Sequence, residues 1–412
     1  LQRTVIVGSG TGGTLTANLL AKALRGDIRR GEASVELVGA GLRHPFQPAN
    51  LDIAFKGASP GGLDRPEEEL LVDGVKLVND PAEMIDLQGK RVTTKGGLEL
   101  VYDYLVIATG AVADAAKLPG LKEGSLNFHT GPNDSMRIWN ALQSFNGGKV
   151  VIAIAGTPHK CPPSPNEAAF MMEELFRRKG IRDKTDIKFL TPYPRAYPAE
   201  KLSNVVAPLF EERGIEVVPF FNVDSVDPTQ RKIYSLEGES YDYDLLVAVP
   251  PHHGAEVIIN SGIGDEDGWI PTDKDTMKIK GFDEAYAIGD ATDIPVSKSG
   301  VVAHLQSIVV TKNILSSMKG SQDLLRYNGR INCPMEVGQR KAINSAVTYT
   351  SPPEDQTPST VKYLMKKSFG KLYWRALNGS LEPIFDVFFG QTRFPVVAEK
   401  QPKEAVAMVK AS

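Results

Sequence analysis

Two cysteines stand among 412 residues, Cys161 and Cys333, and Cys161 lies in a context that suits reversible thiol chemistry. It belongs to Ala155-Gly156-Thr157-Pro158-His159-Lys160-Cys161-Pro162-Pro163-Ser164-Pro165-Asn166-Glu167, with a lysine before it and a carboxylate six residues after it. The thiolate is the attacking species in disulfide exchange, and both a helix N-terminus and a neighbouring cation favour it. Two cysteines are too few to staple a secreted scaffold and lack the spacing of a zinc site, so no metal is expected. A redox pair or two inert thiols remain. Filling space is the commoner fate of a lone cysteine. Here three prolines in the next four residues predict a rigid, exposed loop, which favours reactivity.

The elements that must position Cys161 are legible. Val150-Val151-Ile152-Ala153-Ile154 reads as a buried parallel strand, and residues 167–178 have the apolar spacing of a helix. A strand-to-helix turn places Cys161 at the carboxyl edge of a sheet, where open α/β folds bind ligands. The same design opens the chain: Thr4-Val5-Ile6-Val7, then Gly8-Ser9-Gly10-Thr11-Gly12-Gly13, then Leu15, Leu19, Leu20 and Leu24 at helical spacing. In this GxGxxG, Gly8 permits a tight turn, Gly10 lets backbone approach a pyrophosphate, and Gly13 packs helix on strand. The next strand, Val35 to Val38, is followed by Gly39-Ala40-Gly41 where an acid for an adenosine ribose is expected. Arg43-His44-Pro45-Phe46-Gln47-Pro48-Ala49-Asn50 reads as an irregular loop. Tyr102-Asp103-Tyr104-Leu105-Val106-Ile107-Ala108-Thr109-Gly110 and Ala285-Tyr286-Ala287-Ile288-Gly289-Asp290-Ala291 are strands ending in small-residue turns. Gly289 admits a ligand close to the backbone, and Asp290 can accept from a ribityl hydroxyl.

Composition excludes several classes. A hydrophobic content of 42% with 24% charged residues is that of a globular protein, and a net charge of −3 offers no basic field for nucleic acid. No apolar run approaches the roughly 18 residues of a spanning helix, and no signal-peptide pattern begins the chain. A start at Leu1 leaves open a preceding processed segment.

GSGTGG, YDYLVIATG and AYAIGDA together resemble the two-dinucleotide-binding-domain flavoprotein reductases. Within them the chain is most similar to the sulfide:quinone oxidoreductase family. The marks of that likeness are the Phe46-Gln47-Pro48-Ala49-Asn50 loop, Cys161 with Pro165 and Glu167, Lys298-Ser299-Gly300, Cys333, Phe369-Gly370-Lys371 and Glu382-Pro383. It covers residues 5–393 and implies an α/β protein with two Rossmann-like domains and a membrane-facing carboxyl-terminal segment. The FAD-binding domain is expected at residues 1–117 and 243–323, the second domain, without NAD, at 118–242, and a quinone and membrane segment at 324–412.

The resemblance further implies FAD held at Gly8, Gly10, Gly13, Thr109, Gly110, Gly289 and Asp290, with Lys298 near the flavin pyrimidine edge. It places Cys333 against the flavin, in a charge-transfer contact or covalent adduct, and Cys161 where incoming sulfur is taken up. Glu167 is the expected proton acceptor, and Phe369 and Phe385 are expected to sandwich the quinone. The reaction implied is oxidation of hydrogen sulfide to polysulfide or sulfur, with electrons passed through FAD to a quinone. Three-cysteine members carry a thiol where this chain has His129, so a two-cysteine form is expected.

Two alternatives are a type II NADH:quinone oxidoreductase and the flavoprotein subunit of a cytochrome-linked sulfide dehydrogenase. A third, from another class, is a flavin-binding module without turnover. Against the first, the turn after Ile154 keeps one glycine of a GxGxxG, and Pro158 has no N–H for a phosphate. Residues 359–378 hold Lys362, Lys366, Lys367, Lys371 and Arg375 and no acid, interleaved with apolar residues at helical spacing. This predicts an amphipathic helix with its basic face on anionic headgroups, Trp374 at its edge and Ile384-Phe385-Asp386-Val387-Phe388-Phe389 adding apolar surface. Peripheral, monotopic attachment to a cell membrane follows. The partners expected are hydrogen sulfide, a membrane quinone, a lipid surface and further copies of the chain in a homo-oligomer.

Overall fold

The computed structural model describes residues 1–41, 43–351 and 356–381. Its first sheet orders five strands as Ala285–Ala287, Tyr104–Ile107, Gln2–Val7, Ala33–Val38 and Val75–Val78, every neighbouring pair parallel. Val5, Ile6, Leu105 and Val106 are fully buried, as strands covered on both faces require. The helix Thr11–Ala23 leaves the glycine turn and packs beside Gly300–Met318.

The second sheet orders Ile215–Val218, Thr185–Leu190, Gly148–Ile154 and Leu245–Val249, again all parallel. Leu245–Val249, inside the stretch where the FAD-binding domain is expected to resume at residue 243, joins this second sheet. Its five apolar residues pair with Gly148–Ile154, and the first sheet resumes only with Ala285–Ala287. A short run buried on both faces carries no mark of which sheet takes it.

A hairpin, Ile331–Glu336 against Ala342–Val347, sets Cys333 opposite Ser345. Met335, Val337 and Ile343 enter the core formed by Phe170, Phe189 and Phe210 of the second domain. Burial of one such side chain contributes roughly 1.5–3 kcal/mol, which anchors the strand bearing Cys333. The helix Thr360–Ala376 follows, its N-terminus capped by Ser359, whose hydroxyl accepts from Val361 N. No helix among the described residues is long and apolar enough to cross a membrane.

The orientation of this last helix differs from the expected one. Lys366 and Lys367 point inward to Glu167 and Asp52. Val361, Leu364 and Met365 are 65%, 50% and 37% exposed, and Lys371 and Arg375 are exposed on the turns beyond them. Trp374 packs with Phe46 and Tyr373. Spacing alone directs the basic residues to anionic headgroups, yet acids on other elements draw two of them in. Phe385, Glu382-Pro383 and the rest of residues 382–412 lie outside the described residues.

Candidate active site

Three parallel strands of the first sheet end at one edge, and their following turns bring together Gly8 to Gly13, Thr109-Gly110 and Gly289-Asp290. A Cβ on Gly8 would lie 2.4 Å from Ala108 O, and one on Gly13 would lie 1.8 Å from Gly8 O. Both glycines are therefore required by close packing. A Cβ on Gly10 would meet nothing within 4 Å, so the loop is open to a ligand there. At Gly39 a Cβ would lie 2.7 Å from Ser9 Oγ. A side chain at position 39 would therefore require Ser9 to turn away.

Two polar atoms at this edge, Thr109 Oγ1 and Asp290 Oδ1, are buried without a hydrogen-bond partner in the protein. Buried polar groups are otherwise almost always paired. Burial raises the Asp290 carboxyl, opposed by Lys298 and Lys160. Lys298 Nζ donates to the carbonyls of Asp290 (2.8 Å) and Thr292 (3.0 Å) and lies 3.7 Å from the centre of the Trp269 ring. Burial lowers its pKa to about 8. An open glycine turn on a helix N-terminus and an unpartnered carboxylate fit the diphosphate and hydroxyl groups of FAD.

Cys161 has a left-handed φ of +53°, which a non-glycine residue adopts rarely and most often at functional sites. Its N–H donates to Lys298 O (2.7 Å) and its carbonyl accepts from Ser164 N (2.8 Å). These bonds tie the Cys161 backbone to Lys298 on one side and to the helix Ser164–Arg178 on the other. Cys333 Sγ lies 3.6 Å from the oxygen of Ser299, the residue that caps Gly300–Met318.

Both cysteines are free thiols and stand close enough that charge on Cys333 raises Cys161. Burial, then Glu167, then Cys333 push the Cys161 thiol up to about 12. Burial also raises Cys333, against the nearby hydroxyls of Ser299 and Ser297. This reverses the expectation of a thiolate at Cys161. The loop is more enclosed than its prolines suggest, with Pro163, Ser164 and Pro165 buried, and desolvation outweighs the helix end. Lys160 sends its ammonium to Gln47 Oε1 and His129 O, 3.3 Å each. The cation that favours the anion of both thiols is Lys366.

Glu167 is 1% exposed. Its Oε1 accepts from Glu336 N at 2.6 Å and from Lys366 Nζ. Glu336 in turn holds Lys56 at 2.7 Å, and Lys367 holds Asp52 at 2.9 Å. This network joins the Cys161 helix, the Cys333 strand, the helix Ala49–Lys56 and the carboxyl-terminal helix. Tyr197 also stands beside both thiols; burial, then Cys333 and Cys161, raise its phenol, which remains a donor. Sequence reading missed Lys366 as a site residue and Tyr197 entirely, and the sequence carries no local signal for Tyr197. Phe369 packs partly buried against Ala376 and Leu381, while its expected partner Phe385 lies outside the described residues.

His129, His159 and His252 gather behind Cys161, with ring centres 5.3–6.4 Å apart. His159 Nδ1 lies 3.0 Å from Lys160 O and His252 Nδ1 lies 2.8 Å from Pro250 O. These bonds require the Nδ1–H tautomer in the neutral rings. Burial lowers His159 to about 4 and His252 to about 3, and puts His129 well below its usual range. Among the described residues no group of three or more such side chains is arranged to hold a metal ion. Gly156, the glycine that remains in the second turn, is closed: a Cβ there would lie 2.6 Å from Pro251 Cα.

Residues 2–156 match the family described as Pyridine nucleotide-disulphide oxidoreductase. The mitochondrial sulfide:quinone oxidoreductase of Mus musculus is 28% identical over 90% of this chain and 85% of its own length. The sulfide-quinone reductase of Aquifex aeolicus is 25% identical over 93% of each chain. The X-ray structure of the Aquifex aeolicus sulfide:quinone oxidoreductase superposes with a TM-score of 0.83 over 94% of this chain and 95% of that one, at 22% identity. The chain is thus similar over about nine-tenths of its length to sulfide:quinone oxidoreductases, and it is an FAD-dependent enzyme.

Proposed function

We propose that this enzyme oxidises hydrogen sulfide at Cys161 and Cys333 and delivers the electrons to a membrane quinone. What supports the reading is that the two thiols, from different parts of the chain, lie near enough to influence each other and share Glu167 and Lys366 as charged neighbours. Buried dithiols with raised pKa values are poor nucleophiles, so reactivity belongs to the oxidised, bridged pair. Hydrosulfide attacks the bridge at Cys161, an S–S bond forms there, the bond to Cys333 breaks, and Cys333 leaves as a thiolate. Lys366 favours that anion, and the hydroxyls of Ser299 and Ser297 receive it. Glu167 takes the proton when hydrogen sulfide itself arrives, and Lys366 compensates its charge. Bound FAD supplies the two-electron acceptor that links the thiol pair to the quinone. Gly8, Gly10, Gly13, Thr109, Gly110, Gly289 and Asp290 would hold it, with Lys298 at its edge.

The turn after Ile154 speaks against NADH as donor, because it keeps one glycine and Pro158 has no N–H to offer a pyrophosphate. The outward Val361, Leu364 and Met365, followed by Lys371 and Arg375, suit peripheral attachment to an anionic bilayer. The test is anaerobic mixing of the yellow protein with sulfide, NADH or neither. Rapid bleaching by sulfide alone, reversed by a short-chain quinone and not by a c-type cytochrome, is expected. Bleaching by NADH, or none by sulfide, overturns the reading.

A further inference from the structure

Two turns beyond Lys366 on the same helix, Tyr373 turns its hydroxyl into the first domain. Its oxygen lies 2.8 Å from Thr11 Oγ1 and 2.6 Å from His44 Nε2. His44 Nδ1 lies 3.0 Å from Glu67 Oε2, and Glu67 Oε1 accepts from Thr14 Oγ1 at 2.5 Å. Thr14 and Glu67 are fully buried, His44 is 1% exposed and Tyr373 6%. With Glu67 accepting from both Thr14 and His44, the proton directions follow. In its neutral form His44 donates from Nδ1 and accepts at Nε2 from the Tyr373 hydroxyl, which in turn accepts from Thr11. Both threonines belong to the helix Thr11–Ala23, whose N-terminus with Gly8 to Gly13 forms the FAD turn. The same helix holds the chain after Tyr373 twice more, through Asn18 Nδ2 to Leu377 O (2.8 Å) and Lys22 Nζ to Asn378 O. None of these groups takes part in the thiol chemistry.

We propose that Tyr373, with His44 and Glu67 behind it, is a positioning residue for FAD that acts through Thr11. The carboxyl-terminal helix is thereby a latch whose docking is linked to FAD retention. The chain of hydrogen bonds fixes the Thr11 side chain and, with it, the first turn of the helix whose N–H groups face the cofactor. Linkage is reciprocal: a docked helix strengthens FAD binding, and bound FAD strengthens docking by the same factor. The latch also carries Lys366, so loss of FAD loosens the cation that serves the thiol pair, and it carries the outward apolar residues.

The experiment compares wild type with Tyr373→Phe, which keeps the ring packed 4.7 Å from Phe46 and 5.1 Å from Trp374. Thr11→Val and the double variant complete the cycle. FAD affinity of the flavin-depleted proteins is read by fluorescence, and docking by the rate of tryptic cleavage at Lys362 and Lys371 with and without FAD. Each single variant is expected to weaken FAD about tenfold, because each removes the bond between Thr11 and Tyr373, and the double variant no further. FAD should slow cleavage strongly in wild type and weakly in Tyr373→Phe. Unchanged affinity in Tyr373→Phe, multiplied losses in the double variant, or cleavage indifferent to FAD would each overturn the proposal. If Tyr373→Phe does not fold, His44→Leu breaks the same chain from its other side and must give the same loss. No sulfide or quinone is used, so the outcome is independent of the proposed substrate.

Discussion

Lys366 and Glu167, 199 residues apart in sequence, form an ion pair that joins the carboxyl-terminal helix to the helix after Cys161. Glu167 is enclosed, while a fifth of the Lys366 side chain remains accessible. Lys366→Met strands the carboxylate and is expected to lower stability by about 3 kcal/mol, toward the low end for a buried pair. Alkylation of both thiols by iodoacetamide should also slow, because the cation that favours their anions is gone. Lys366→Met with Glu167→Gln should recover most of the stability and the alkylation rate as well, because the carboxylate that raises both thiols is removed with the cation. Urea midpoints and labelling kinetics check both; equal midpoints for wild type and Lys366→Met would count against the pair.

The two thiols should differ in what their loss does to colour. Cys333→Ser is expected to abolish sulfide-driven bleaching and any long-wavelength band, since a hydroxyl is neither an anion nor a good leaving group at neutral pH. Cys161→Ser should also abolish turnover, because no bridge remains for sulfide to open, yet leave Cys333 beside the flavin. A long-wavelength band should then rise with pH without sulfide. Exchange of these two spectra would reverse the assignment of the positions.

Acid should destabilise the fold through His159 and His252. Their folded pKa values, about 4 and about 3, lie below the ordinary 6.5, so the unfolded chain binds more protons in that window. Stability is therefore full above pH 6.5 and falls as pH drops toward 4 and 3, by about 1.4 kcal/mol per pH unit for each histidine still neutral when folded. His252→Gln or His159→Gln should flatten the dependence. Urea titrations from pH 4 to 7.5 provide the check, and parallel curves for wild type and variants would refute the assignment.

Membrane attachment should follow the outward residues of the last helix and not its inward lysines. Leu364→Ser with Met365→Ser is expected to lower binding to anionic liposomes several-fold and slow reduction of long-tailed quinones, while sulfide still bleaches the flavin. Co-sedimentation with vesicles measures this; undiminished binding would assign attachment to other surfaces.

The sequence by itself determined what depends on neighbours along the chain. Gly8, Gly10 and Gly13 are legible because a tight turn, an open backbone and a close helix contact each demand glycine at a set spacing, and their packing repeats that division of roles. The strand and helix flanking Cys161 are likewise written in apolar periodicity, and the observed strand Gly148–Ile154 contains the expected run.

Tertiary structure decided what depends on residues brought from afar. Desolvation reversed the ionisation expected of Cys161, since enclosure by other elements outweighs a helix end. The acids Glu167 and Asp52 turned two lysines of the last helix inward, and its apolar residues outward. Pairing partners alone assigned Leu245–Val249 to the second sheet. The chain from Tyr373 through His44 to Glu67 has no spacing to betray it, because each member comes from a separate segment and only packing makes them neighbours.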